Sequence, residues 1–323
     1  MDLVGLSGRN RKMHLVDVNY SSEHGFHKGS LFIKVFDEKD KVIQEAQGAK
    51  TLENWLENTP VKTPRLLGKF ENILVYEGLK AFDFDHYQNL LSFEKYFLAG
   101  WALPYIHGWN LKAIDQRRYD YLINTGLKAL ESTTVSDIDI NWIKQSLSSE
   151  TDKIFPHSYG GGRTFGDFHP GNIMFSQSPQ RVRTHGLVRG DFTDVFLIDP
   201  EFLDSTTDEV DRFEDLGNFL AKIALEEFVR SKNLKETREK LLHILNGYNQ
   251  VFFEKLNINL RDLYPNGLSV ELQIVMALIM DMLFVARLEA EKGSQWVERA
   301  ERARIDLIKF LLNDRRPLTR ELY

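Results

Sequence analysis

The 323-residue chain contains no cysteine. Disulfides, zinc–thiolate centres and cysteine nucleophiles are thereby excluded, and nothing in the chain demands an oxidising compartment. Long hydrophobic runs are missing too. The most apolar helix-like stretch, Ile274 to Ala286, is interrupted by Asp281 and is too short to span a bilayer. The first residues, Met1-Asp2-Leu3-Val4-Gly5, lack the basic-then-apolar order of a secretory leader. There is no excess of positive charge. Against 41 lysines and arginines stand 47 aspartates and glutamates, a net charge of −6, which gives no basis for a general nucleic-acid or anionic-membrane partner. The nine histidines lack the tight spacing of a metal cluster, and there is no repeat or low-complexity tract. The expectation is a cytoplasmic protein with no nucleic-acid partner and no membrane partner.

What is present is ordinary in bulk and specific in detail. A hydrophobic content of 42% suits a soluble globular enzyme, and the length exceeds one compact core, so two lobes are expected. Two apolar strand-like runs each deliver oxygen-bearing side chains. The first leads through Phe165-Gly166-Asp167-Phe168-His169-Pro170-Gly171-Asn172, the second through Phe196-Leu197-Ile198-Asp199-Pro200-Glu201. A kinase-like site needs one carboxylate to orient an attacking hydroxyl, and an amide with a second carboxylate to hold Mg2+ on a nucleoside triphosphate. Asp167, Asn172 and Asp199 are of those types.

Upstream, Leu31-Phe32-Ile33-Lys34-Val35-Phe36 is an apolar run broken by one lysine. Eleven residues later Glu45 opens a segment in which Ala46, Ala49, Leu52, Trp55 and Leu56 recur at helical steps. A charge against an apolar sheet is costly unless paired, which gives a Lys34–Glu45 pair a physical rationale. Taken singly, each residue also has a plainer reading. Lys34 suits the solvent face of a half-buried strand, Asp167 a tight turn, Asn172 a strand cap, and Asp199 a strand end before Pro200. Their order along the chain favours the site.

The run from Gly166 to Phe175 resembles the G-D-x-H-x-x-N catalytic segment of the aminoglycoside phosphotransferase and choline kinase family. Val195 to Phe202 resembles that family's metal-binding segment, and its Ile-Asp-Pro-Glu-Phe wording is similar to that of methylthioribose kinases. The resemblance implies an α+β, protein-kinase-like bilobal fold with a small β-rich N-lobe and a larger, mainly helical C-lobe. It also implies ATP and Mg2+ as cofactors, with ATP between the lobes. In its terms Asp167 is the catalytic base, Asn172 and Asp199 hold the metal, Lys34 reaches the phosphates and Glu45 pairs with Lys34. The backbone at Glu77 and Leu79 binds adenine. His169 and Glu201 support the site, and Asp215 steadies the catalytic loop, with an N-terminal helix acid as the alternative reading. The reaction implied is transfer of the γ-phosphate to a small-molecule hydroxyl acceptor such as a sugar, an aminoglycoside or an amino alcohol. The alternatives are a protein kinase-like enzyme and a nucleotide-binding pseudokinase scaffold. Gly166 before the aspartate, and Asp199-Pro200-Glu201 in place of Asp-Phe-Gly, argue against the first. Retention of all four polar residues argues against the second.

The expected strands are Met13 to Tyr20, Leu31 to Phe36, and a pair at Pro64 to Gly68 and Ile73 to Tyr76. A loop over residues 21–30 stands where a phosphate-covering hairpin would be. The lobes divide near residue 80, into 1–80 for nucleotide and 81–323 for catalysis and acceptor. Helical periodicity covers roughly 86–106, 116–131, 139–154, 209–231, 235–256, 269–292 and 294–313. Gly160-Gly161-Gly162 is expected to cap the third of these.

Three departures from the family stand out. Phe165 replaces a usual histidine, at a position that packs behind the loop. Phe32 shares a strand face with Lys34 and narrows the nucleotide pocket, so ATP and GTP both stay open. The stretch from Asn172 to Asp199 is longer than usual, and its extra segment carries Arg181, Arg183, His185 and Arg189, either as an anion-recognising flap or as a solvated loop. Trp101, Tyr105, Trp109 and Trp142 fit a cation or sugar pocket, although aromatic residues at helical spacing are more often core.

Overall fold

Alternation along one strand sets the first half of the architecture. In β3 (Gly25–Phe36) Phe32, Lys34 and Phe36 share a face. Opposite them, β6 (Ile73–Glu77) sets Tyr76 against Phe32 and Leu74 against Lys34. Helix α1 (Lys39–Leu56) covers that face, and Val42, Ala46 and Ala49 join Phe36, Leu74 and Tyr76 in one buried cluster. Glu45 therefore lies in the second turn of α1 rather than at its start. The six residues before it, Lys39 to Gln44, bury only Val42, so apolar periodicity could not reveal them.

The computed structural model describes residues 4–8, 11–22, 25–79, 81–84, 93–109, 124–128, 130–131, 133, 136–148, 161–177, 193–200, 203, 210–231, 233–263, 269–313 and 318–322. The chain forms two compact units, one of residues 1–89 with 165–206, the other of 90–164 with 207–323. The lobe division expected at residue 80 follows chain order. Packing groups 165–206, with Asp167, Asn172 and Asp199, with the N-terminal residues.

In the first unit, β1 (Val4–Gly8), β2 (Arg11–Ser22), β3, β6 and β5 (Leu66–Phe70) form an antiparallel sheet in the order β1-β2-β3-β6-β5. The β2–β3 ladder runs out to Ser22 opposite Gly25, so most of the loop expected over 21–30 is strand. The residues there are mostly polar in sequence, so no apolar alternation marked them as strand. A second sheet takes the order β4-β10-β9-β7. In it β4 (Val61–Lys62) runs parallel to β10 (Thr193–Leu197), β10 antiparallel to β9 (Ile173–Gln177), and β9 antiparallel to β7 (Phe82–Asp83).

The second unit is mainly helical. Its long helices are α2 (Glu94–His107), α3 (Asp137–Ser148), α4 (Arg212–Ser231), α5 (Leu234–Leu256), α6 (Ser269–Arg287) and α7 (Ser294–Asn313). Helices α2 and α5 cross at two glycines. A Cβ on Gly100 would overlap the Ile244 carbonyl and come within 2.7 Å of its carbon, and one on Gly247 would lie 2.8 Å from the Trp101 nitrogen. Each mid-helix glycine costs about 1 kcal/mol relative to alanine. The neighbouring Ile244, Tyr248 and Phe252 are fully buried, at about 1.5–3 kcal/mol for such a side chain, so close approach wins.

Two expectations are corrected here. The helix read as 269–292 stops at Arg287, and a separate turn at Glu289–Lys292 ends at Gly293 in the left-handed region. Gly161 and Gly162, expected within a helix cap, instead form a strand (β8, Gly161–Gly162) that pairs with Val210–Asp211 (β11) as a short antiparallel ladder. Among the described residues no helix is long and apolar enough to cross a membrane.

Candidate active site

Lys34 is 2% exposed and Glu45 fully buried. The Lys34 ammonium donates to Glu45 Oε1 and also to Asp199 Oδ1, a residue 165 positions away. The Tyr76 hydroxyl donates to the same Glu45 oxygen at 3.0 Å. The rings of Phe32 and Tyr76 flank the ammonium at 5.8 and 5.4 Å. The solvent-facing reading of Lys34 is thus overturned, because its strand face is covered by α1. One cation is shared by two carboxylates and two aromatic faces, which offsets the cost of holding it out of water.

The antiparallel pairing of β9 and β10 brings the two polar motifs together. Ile173 stands opposite Leu197, so Asn172 and Ile198 meet just beyond, and the Ile198 N–H donates to the Asn172 carbonyl at 3.0 Å. Asp199 follows with φ of +58°, a left-handed backbone that aspartate tolerates better than most residues. Asn172, 4% exposed, sits in a 3-10 turn over Pro170–Asn172 and donates through Nδ2 to the Asp167 carbonyl at 2.9 Å. Its amide oxygen is therefore the atom on offer to a cation. Gly166 has φ of +83°, and Phe165 and Phe168 on either side of the bend are buried edge to face at 6.0 Å. Phe165 thus packs behind the loop.

That bend leaves the Asp167 side chain 38% exposed, against 12% for Asp199, so Asp167 is the carboxylate more open to solvent. His169 Nδ1 accepts the Gly171 N–H at 3.0 Å, which puts the proton of a neutral ring on Nε2, 3.5 Å from Asp167 Oδ2. Asn172 and Asp199 make an oxygen-only donor pair. Magnesium fits such a pair, because it is held by one or two carboxylates and takes its remaining ligands from water and phosphate. Among the described residues no group of three histidine, cysteine or acidic side chains forms a complete protein cage.

At the end of β6 the Glu77 N–H donates to the Arg65 carbonyl at 2.9 Å and the Gly78 N–H to Ser30 at 2.7 Å. Sheet pairing is spent by Gly78, and Leu79 is the first residue beyond it. Asp215 belongs to the second unit. It lies in the first turn of α4, 1% exposed, with His107 Nε2 at 3.3 Å, and His107 Nδ1 lies 2.9 Å from the Tyr248 hydroxyl. Sequence reasoning missed His107 and Tyr248, although a histidine closing the apolar run Ala102 to Ile106 was a usable signal. It also missed Tyr76, whose strand position reads as packing.

Trp101, Tyr105 and Trp109 form a chain of edge-to-face rings at 5.1 and 5.7 Å, and the Lys255 ammonium lies 5.9 Å from the Trp109 ring. A cation of the chain itself thus already sits over the Trp109 ring. Burial, aided by the charge of Glu254, pushes the Tyr105 hydroxyl up to about 12. Glu201 and the basic segment with Arg181, Arg183, His185 and Arg189 lie outside the described residues.

No protein-family model matches the chain, and no curated protein matches it. Solved structures do. A choline/ethanolamine kinase family protein from Mesorhizobium loti is similar with a TM-score of 0.59 and 14% identity, over 98% of this chain and 89% of the other. An aminoglycoside 2'-phosphotransferase in complex with GDP gives 0.60 and 12%, over 97% and 93%. An amicoumacin kinase with AMP-PNP and Ca2+ gives 0.53 and 13%, over 99% and 90%. At these identities the shared property is the fold. It is the α+β, protein-kinase-like fold, with an antiparallel β-rich part and a larger helical part.

Proposed function

We propose that this protein is a small-molecule kinase, transferring the γ-phosphate of a nucleoside triphosphate to a hydroxyl of a sugar, an aminoglycoside or an amino alcohol. The observation that carries the reading is the Lys34 ammonium shared by Glu45 and Asp199, with Asn172 one ladder step from Asp199. The solved structures of like fold are themselves described as kinases and phosphotransferases of small molecules.

In this reading the backbone at Glu77 and Leu79 holds the base, and Lys34 neutralises phosphate oxygens while Glu45 and Tyr76 fix its position. Asn172 and Asp199 hold Mg2+, which when bound offsets charge on the transferring group. Asp167 orients the acceptor hydroxyl and takes its proton, with the His169 ring alongside. Phosphoryl transfer asks little else of a protein, since positioning and electrostatics supply nearly all the rate. An ATP-consuming reaction fits a cytoplasmic location.

One solved neighbour carries GDP and another AMP-PNP, so the test uses both Mg-ATP and Mg-GTP against a panel of small hydroxyl compounds. Turnover with at least one compound is expected. Asp167→Asn should lower it by about 10²–10⁴-fold, the usual contribution of a positioned base. Phosphorylation of peptides with none of the small alcohols would falsify the proposal. So would binding of nucleotide by wild-type protein without any turnover.

A further inference from the structure

Glycine inside a helix is unfavourable, so Gly48 in the middle of α1 needs a reason. A Cβ at this position would overlap the Pro200 carbonyl oxygen and come within 2.9 Å of the carbonyl carbon. The obstacle is backbone, which cannot rotate away. The same oxygen accepts the Leu203 N–H at 3.3 Å, which helps to fix its position. Gly48 is one turn after Glu45 on the buried face of α1, and Pro200 is next to Asp199. A second tie joins the same two segments. The strand that follows α1, β4, pairs with β10, and Lys62 reaches Asp194 at 2.9 Å with its ammonium 5.9 Å from the Phe196 ring.

We propose that Gly48 is a positioning residue for phosphoryl transfer, seating α1 directly on the Pro200 carbonyl so that Glu45 and Asp199 keep one fixed spacing about the Lys34 ammonium. The inference rests on the small-molecule kinase reading and deepens it: α1 and the Asp199 segment act as one rigid body. A side chain at residue 48 pushes them apart, and Lys34 then cannot satisfy both carboxylates.

The variant is Gly48→Ala, measured by ATP turnover over a range of magnesium concentrations. Helix propensity alone predicts a stabler protein with unchanged turnover. The positioning role instead predicts a kcat loss of about tenfold or more, since misplacement of a supporting group by about 1 Å costs up to about a hundredfold. It also predicts a several-fold rise in the magnesium needed for half-maximal turnover. A merely structural role would reduce the amount of folded enzyme and leave the magnesium requirement of the folded fraction unchanged, and that result overturns the inference. So does wild-type behaviour of the variant. If Gly48→Ala yields no folded protein, hydrogen exchange on the wild type decides. Amides of α1 and β10 should gain protection together when Mg-AMP-PNP is added, and protection of β10 alone overturns the proposal. Wild-type protein inert to Mg-ATP sinks the kinase reading itself, whereas an active wild type with an indifferent Gly48→Ala sinks only the positioning role.

Discussion

A buried ammonium with two carboxylates makes its own removal expensive. Lys34→Met leaves Glu45, fully buried, without its cation, and breaking a buried pair from one side costs about 3–5 kcal/mol. Urea denaturation at neutral pH should show that loss, and adding Glu45→Gln should recover part of it, since neighbours in one network are not additive. Tyr76→Phe keeps the ring and deletes one hydrogen bond to a carboxylate, so its cost should be about 1.5–3 kcal/mol. Tyr105 carries the alkaline prediction. Its hydroxyl is raised from 10.0 to about 12 in the folded state, so the unfolded chain loses its proton first and stability falls as pH rises between those values. Tyr105→Phe should flatten that part of the profile of denaturation midpoint against pH. At this scale Lys34 and Glu45 were legible because a charge in an apolar run demands a partner. The bond from Lys34 to Asp199 was not, because it spans 165 residues and depends on how β4 meets β10. At Asp199 itself the left-handed backbone suits asparagine as well as aspartate, so Asp199→Asn should abolish turnover without adding backbone strain, and any fall in melting temperature should come from the charge lost beside Lys34.

Elements were readable where an apolar stripe runs their whole length. Helix α7 begins and ends where its periodicity does, and α5 differs by one residue at its start. Helix α1 was half hidden, because Asp40 favours a helix N-terminus without contributing to the stripe, and Lys39 and Lys41 beside it add no apolar position. The β2–β3 ribbon was hidden for the related reason that its outer residues are polar. No local signal told that Gly100 meets the backbone at Ile244 and Gly247 the backbone at Phe97 and Trp101, since only the crossing of α2 and α5 brings them there. The consequence is measurable. Gly100→Ala should gain about 1 kcal/mol of helix propensity. It should lose more to the clash with Ile244, because overpacking against backbone typically costs about 1–3 kcal/mol and sometimes more. A lower urea midpoint is expected, and a higher one would show that the helices separate freely.

The chain leaves its first unit at residue 89 and returns at residue 165, so neither stretch completes that unit alone. Sequence order suggested one division near residue 80, and it could not show that β4 and β7 find their partners in β10 and β9. A fragment of residues 1–89 should therefore exchange its β4 amides as unstructured chain does, whereas the full chain protects them. Hydrogen exchange by mass spectrometry distinguishes the two. The same interleaving gives the protein a timetable. On a ribosome adding about 5–20 residues per second, Lys34 and Glu45 wait several seconds or more before the segment bearing Asp199 is made. The nascent chain meanwhile carries a half-built sheet whose missing strands are still messenger RNA.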